Sequence, residues 1–251
     1  MQFRTDLAIE AATQGDKAIP GIKQESRQVE DIRLTRIVIE NEQGEQALGR
    51  PRGTYITAEL QPLSDDEENM EGKAKILGDE LRSLLPESGV VLVTGLGNQS
   101  VTPDALGPRS AGMVLATRHI EGEFARSTGL DKLRANSPSV ERLGCTVQIC
   151  DTGIAPGSGV GNNRMALNKE KLGVPVIGLG VPTVVDARTV AMELTGREEA
   201  GNQVTPRGAE MMVTPREIDL IIKRASQLVA MTINAALQPD YSPLSLVSAA
   251  G

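Results

Sequence analysis

Three aspartates each stand behind an apolar run in this chain, where a carboxyl group could take or hand on a proton. Asp104 lies in Thr102-Pro-Asp-Ala-Leu-Gly-Pro108, shortly after Val90-Val-Leu-Val-Thr-Gly-Leu-Gly-Asn98. Asp151 opens the glycine-rich stretch that runs to Asn162, and Asp186 ends Val181-Pro-Thr-Val-Val-Asp186. Carboxylates gathered at one edge of a sheet share protons, because like charges a few ångströms apart do not both ionise cheaply. One then serves as base for an attacking water while its protonated partner polarises a carbonyl. The same acids could hold Mg²⁺, since hard cations take oxygen ligands. The plain alternatives stay open. Asp104 would cap a helix or close a turn, and the glycines around Gly157 and Gly159 would form a turn cluster. Otherwise those glycines present backbone amides to a peptide or oxyanion.

Other chemistries have less to stand on. His119 is the single histidine, so a Ser-His or Cys-His nucleophile would depend on it alone, and His-rich zinc sites are excluded. Beside Arg118 it reads as a capping or paired histidine. Cys145 and Cys150 are the only cysteines. On one strand they would face opposite sides, which suits two reduced core thiols. Asp151-Thr-Gly153 invites a pepsin-like reading, but no second such triplet exists and helices are signalled around it. Gly157-Ser-Gly-Val-Gly161 lacks the lysine of a phosphate loop. Aromatics are 2% of the chain and the net charge is −7, which argues against stacking on single strands or gripping a phosphate backbone. No run is long enough to span a bilayer and no signal segment opens the chain, so a cytoplasmic location is expected.

The elements that must position these acids read as α/β. Residues 32–40 and 53–60 alternate and are rich in β-branched side chains, with the turn signal Asn41-Glu-Gln-Gly44 between them. They predict a small antiparallel flap. The acidic run 64–71 reads as the solvated start of a helix continuing to Leu85. Val90–Val93 predicts a buried strand, Ala111–Ala116 the core of a helix over 110–118, Cys145–Cys150 a strand, and Val174–Gly180 another. Val181-Pro-Thr-Val-Val-Asp186 then opens a helix up to Leu194. Thr214-Pro-Arg-Glu217 reads as a capping box opening a helix to Leu237, with Ile218, Ile221, Ile222, Ala225, Leu228, Val229 and Ile233 on one face. The alternation predicts one α/β domain over 1–251, with 1–62 as N-terminal segment and flap and 63–251 as core. Its sheet is mainly parallel, in a three-layer α/β/α arrangement.

Several motifs in order resemble the germination protease (spore endopeptidase) family. They are Arg4-Thr-Asp-Leu-Ala-Ile-Glu10, Gly53-Thr-Tyr-Ile-Thr57, Gly95-Leu-Gly-Asn98 with Thr102–Pro108, Thr117-Arg-His119, Asp151–Arg164 and Gly180–Asp186. The resemblance implies a fold similar to hydrogenase maturation endopeptidases. It also implies an atypical aspartic endopeptidase, without cofactor or bound metal, that degrades small acid-soluble spore proteins in the germinating spore core. The family is made as a zymogen and assembles as a homotetramer; with three residues ahead of Arg4, any prosegment here is expected to be very short.

In that family the first of two proposed catalytic aspartates maps onto Asp104. The second lies in an Asp-Ala-Leu-Ala-type motif that follows a long segment, a helix and a strand, and residues 120–144 are too few for all of these. Two alignments result. Asp131-Lys-Leu-Arg-Ala-Asn-Ser137 is a degenerate second motif with Asp131 as partner, or the second aspartate is missing. The latter is suggested by the lack of an apolar strand ahead of Asp131. The expected function is peptide hydrolysis with Asp104 in a water-activating pair and Asn98, Asp151, Gly157, Gly159 and Asp186 shaping the site. The alternatives are an inactive homologue that binds spore proteins and a metal-binding maturation-type peptidase.

Overall fold

The computed structural model describes residues 19–65, 68–120, 123, 127, 139–144, 175–183, 185–205, 207 and 211–250. They belong to two compact units, one built around residues 19–65 and 180–216 and the other around 66–153 and 217–250.

In the first unit, β1 (Ile22–Val29), β2 (Ile32–Ile39) and β3 (Gly53–Glu59) form an antiparallel sheet in the order β1-β2-β3. The flap therefore has three strands, not two. β1 escaped the sequence reading because Lys23–Gln28 is polar and exposed on both faces. A tight turn with Glu30 at φ 53° joins β1 to β2, pairing Val29 with Ile32. The central strand supplies the apolar side chains: Ile37 and Ile39 pack with Leu48 and the half-buried Ile19, Ile22 and Tyr55. The Asn41–Gly44 signal is not a hairpin turn. Asn41 is the N-cap of α1 (Glu42–Leu48), its Oδ1 accepting from the Gly44 N–H at 3.1 Å. An asparagine reads alike as turn former and helix cap, because in both it bonds a nearby backbone amide.

The first unit also holds β6 (Val185–Asp186), α4 (Ala187–Thr195), a 3-10 segment (Glu198–Gln203) and β7 (Met212–Val213), with β6 and β7 antiparallel. The helix expected to open over Val181–Asp186 begins only at Ala187, because pairing with β7 holds Val185 and Asp186 extended. The capping box expected at Thr214 is not formed: the next helix begins at Ile218, after Glu217, without a side-chain cap. Pairing of Val213 with Val185 holds the chain extended up to that point. Over 175–180, expected as a strand, there is no ladder, and Val176, Ile177 and Leu179 are exposed. An apolar run becomes a strand only where a partner lies alongside it.

In the second unit, α2 (Met70–Arg82) crosses α5 (Ile218–Leu237) closely. A Cβ on Gly78 would lie 2.8 Å from the Ala235 Cβ, so a larger residue there would force the helices apart. Arg82 Nε donates to the Ala236 carbonyl at 3.0 Å, and Arg82 Nη2 bonds that of Ala235, engaging carbonyls the helix end leaves open. β4 (Val90–Gly95) and β5 (Ser139–Gly144) are parallel, in register from Val90–Ser139 to Gly95–Gly144. Leu81, Val114, Val140, Ala230, Ile233, Ala236 and Leu237 form the core beneath them, with Val91 and Val93 packed against it. Val90 and Leu92 point outward and are exposed, so β4 is buried on one face rather than two. α6 (Pro243–Ala250) closes the chain. The helix expected over 110–118 is instead α3 (Leu106–Gly112), for reasons given below.

The architecture is mixed α/β. Among the described residues its parallel part is the β4–β5 pair and its antiparallel part the two other sheets. The strand expected at Cys145–Cys150 lies outside the described residues.

Candidate active site

β4 ends at Gly95, and the next turn is built from close backbone approaches that side chains would prevent. A Cβ on Gly95 would lie 2.1 Å from the Gly107 carbonyl oxygen, and one on Gly107 2.2 Å from that of Leu96. Gly97 has φ +135°, outside the range L-residues favour, and a Cβ there would lie 2.0 Å from the Asp104 carbonyl oxygen. These contacts bring the start of α3 onto the end of β4.

Inside the turn most of the backbone approach is fixed by hydrogen bonds. Asn98 Oδ1 accepts from the Ser100 N–H at 2.9 Å, and the Asn98 carbonyl from the Val101 N–H at 3.0 Å. Thr102–Asp104 forms one 3-10 turn. The Asn98 N–H points back at Asp104, donating to its carbonyl at 3.1 Å and to its Oδ2 at 2.8 Å. Asp104 therefore does not cap α3, whose first turn has no side-chain cap. It fastens the turn through Oδ2, while Oδ1 has no donor among the described residues. The carboxyl is partly buried. Burial pushes its pKa above the ordinary carboxylate value, and the hydrogen bond from Asn98 opposes that rise in part. A half-buried acid with one oxygen held and one open is suited to keep a proton near its neighbours and pass it on.

The other edge of the same strand pair is different. The helix expected to reach residue 118 stops at Gly112 because a buried side chain takes over the chain beyond it. Asn234, 1% exposed in the last turn of α5, accepts from the Leu115 N–H at 2.9 Å and donates to the Met113 carbonyl at 3.1 Å. Thr117, fully buried, then meets β5 at Val140. Val140 pairs with Val91 near the start of β4, about 13 Å along the strand from Gly95 at 3.3 Å per residue. Arg118 and His119 are exposed there, and Arg118 forms an ion pair with Glu141. His119 is thus no base for Asp104. Neither Asn234 nor Thr117 was singled out for a role from the sequence. An asparagine amid Ala230-Met-Thr-Ile-Asn-Ala-Ala-Leu237, a helix stretch buried on every side, was the available signal.

Of the other expected site residues, Asn98 lies in the Asp104 turn through its backbone N–H. Asp186 is the last residue of β6, paired with Met212. Asp131, Asp151, Gly157 and Gly159 lie outside the described residues. Among the described residues no group of three His, Cys, Asp or Glu side chains is arranged to hold a metal. No helix of the described residues is long and apolar enough to cross a membrane.

Comparison with known proteins adds a relationship over nearly the whole chain. The germination protease family model matches residues 4–126 and 128–197. The germination protease of Caldanaerobacter subterraneus subsp. tengcongensis is 37% identical over 310 residues, covering 96% of this chain and 95% of its own. That of Clostridium perfringens is 35% identical over 311 residues, covering 94% and 95%, and that of Bacillus cereus 31% over 342 residues, covering 93% of each. An alignment of 310 residues cannot be filled by a chain of 251, so these relatives carry residues that this chain lacks. The family match is interrupted at residue 127.

Proposed function

The chain belongs to the germination protease family, and from that premise we propose that it is an aspartic-type endopeptidase that degrades small acid-soluble spore proteins during germination. The observation that carries the mechanism is the Asp104 turn: an acid behind the carboxyl end of a parallel strand, raised in pKa, with one oxygen open. Open α/β sheets place their chemistry at that edge.

In this reading two carboxyl groups share one proton. The ionised member takes a proton from water as the water oxygen attacks the peptide carbonyl carbon. The protonated member hydrogen-bonds the carbonyl oxygen, steadying the charge that develops there. As the C–N bond breaks, the proton held by the base passes to the leaving nitrogen. The burial of Asp104 suits the protonated role.

Asp131 is the proposed second acid. The interruption at residue 127 supports this, because the family match resumes before Asp131 and continues past it. On this reading the residues lost relative to the family fall ahead of Asp131, and Asp131-Lys-Leu-Arg134 takes the place of the second motif. The span from Asp131 to Ser139, where β5 begins, reaches at most about 29 Å when extended. The six residues of β4 cover only about 20 Å. The chain is long enough for Asp131 to lie at the Asp104 edge and return to start β5. Asp151 completes this reading as a group that shapes the peptide site. The enzyme works in the spore core as a homotetramer matured from a zymogen, in a three-layer fold like that of hydrogenase maturation endopeptidases.

The test is cleavage of a purified small acid-soluble spore protein. The chain should produce discrete fragments and lose that ability in Asp104→Asn and in Asp131→Asn. Intact substrate that nonetheless co-elutes with the protein would replace this function with binding. Cleavage abolished by a chelator and restored by a divalent cation would replace the proton-sharing pair with a metal site.

A further inference from the structure

We propose that Thr117 is a positioning residue of the peptidase: it occupies the edge of β5 away from β4 at Val140, fixes the register of β5 on β4, and so sets the level at which the chain leaves β5 beside the Asp104 turn. The activity part rests on the proposed function; the register part stands alone.

Three hydrogen bonds carry the inference. The Thr117 and Arg118 N–H groups both donate to the Val140 carbonyl, at 2.9 and 3.0 Å. The Val140 N–H donates to Thr117 Oγ1 at 3.0 Å. In a strand, both backbone groups of one residue point to the same side. The side chain of Thr117 and two neighbouring amides therefore complete β5 on the side away from β4. Val140 is itself fully buried in the core beneath the strands. A slip by one residue would break all three bonds and turn Val140 out of the core.

Thr117 is in turn held from behind. Asn234 grips Met113 and Leu115, and the Ile120 N–H donates to the Thr117 carbonyl at 3.0 Å, so the hydroxyl is presented by a loop fixed at both ends. Such a fixture matters here because, among the described residues, the parallel ladder has two strands, and so small a ladder is weak on its own. Its register places Gly144 level with Gly95, where β4 gives way to the Asp104 turn. The lock sits at one end of the strand pair and its consequence at the other.

The experiment uses the full chain and three forms: wild type, Thr117→Val, which keeps the shape and loses the hydroxyl, and Thr117→Ser, which restores it. Residue-resolved amide exchange should find the Val140 N–H strongly protected in wild type and Thr117→Ser, and unprotected in Thr117→Val. On a spore-protein substrate, Thr117→Val should lose about tenfold in kcat, because a shift of the strand pair misplaces the reacting group. KM should stay within about twofold, with Thr117→Ser near wild type. Loss of fold alone would lower the active fraction in proportion to lost circular dichroism, and a kcat loss beyond that proportion is the positioning signature. A Val140 amide that exchanges freely in wild type overturns the proposal even if Thr117→Val does not fold. Unchanged kcat in a folded Thr117→Val with Val140 exposed overturns its functional part. Failure of the wild type to cleave at all removes the proposed function, while the exchange result still decides the register lock.

Discussion

The two ends of the β4–β5 pair are made from the same strands and treat their polar groups in opposite ways. At the amino end both backbone groups of Val140 are engaged, Thr117 is buried with its hydroxyl in use, and Arg118 is paired with Glu141. At the carboxyl end the backbone turns through Gly97 at φ +135°, and a partly buried carboxyl has a donor on one of its oxygens alone among the described residues. A buried polar group without its partner costs free energy, so it persists where chemistry needs it. The contrast separates an anchor from the edge to which the proposed chemistry is assigned, the working edge. It also relieves His119 of a catalytic role that its chemistry alone would suggest.

The largest effect should come from forcing the working edge to behave like ordinary backbone. Gly97→Ala puts a methyl where only 2.0 Å is left to the Asp104 carbonyl oxygen, at a φ that L-residues avoid. A loss of about 3 kcal/mol or more is expected in denaturant unfolding, with cleavage abolished. Gly112→Ala, at the end of α3 with nothing within 4 Å, is the control. It should be neutral or stabilise by up to about 1 kcal/mol. Equal losses in the two variants would mean that the turn is not specially constrained.

Next comes the anchor. Asn234→Ala leaves the Leu115 N–H and the Met113 carbonyl without their buried partner. The expected cost is about 2–3 kcal/mol. Amide exchange should locate the damage at residues 113–118 before it reaches the Asp104 turn. Protection lost first at Asn98 would show that the two ends are not separate devices.

What the sequence made legible follows the same division. Ile32–Ile39 was readable because β-branched residues alternate there, and Thr102–Asp104 because glycines and a proline mark a turn. β1 was not, since an exposed edge strand such as Lys23–Gln28 has no apolar face to betray it. The end of the helix after Asp104 was misplaced because Val114–Ala116 is as apolar as a helix core. What ends the helix is Asn234, more than a hundred residues away. The state of Asp104 was also hidden: the donor that holds it is the backbone N–H of Asn98, a group every residue but proline carries. Residue types foretold where an acid would stand; tertiary contacts determine which of its oxygens is engaged.

A smaller effect tests the cost of keeping that acid. Because burial raises the folded pKa of Asp104, its contribution is fully favourable only below the ordinary value of 3.8 and is lost as pH rises through the raised value. At neutral pH the wild type therefore carries a penalty that Asp104→Asn escapes, and the amide oxygen can still accept from the Asn98 N–H. Asp104→Asn should unfold at slightly higher temperature than wild type at neutral pH, and the gap should close as pH falls below 3.8. A gap that widens in acid would reverse the sign and show that the carboxylate, not the acid, is the form the fold favours.

The smallest effect should fall on the ion pair at the anchoring end. Arg118 and Glu141 are 56% and 48% exposed, and pairs so open to water contribute under about 1 kcal/mol, less in salt. Glu141→Gln should change neither cleavage nor the protection of Val140, although it sits one residue from the amide that Thr117 holds. Adjacent residues on one strand would then differ sharply in consequence, with the buried hydroxyl deciding register and the visible charge pair deciding little. If Glu141→Gln instead unprotected Val140 as fully as Thr117→Val, the strand would be held by its surface charges. Its sensitivity should then grow as salt is lowered, and the contrast between the two ends would be one of electrostatics rather than of buried hydrogen bonds.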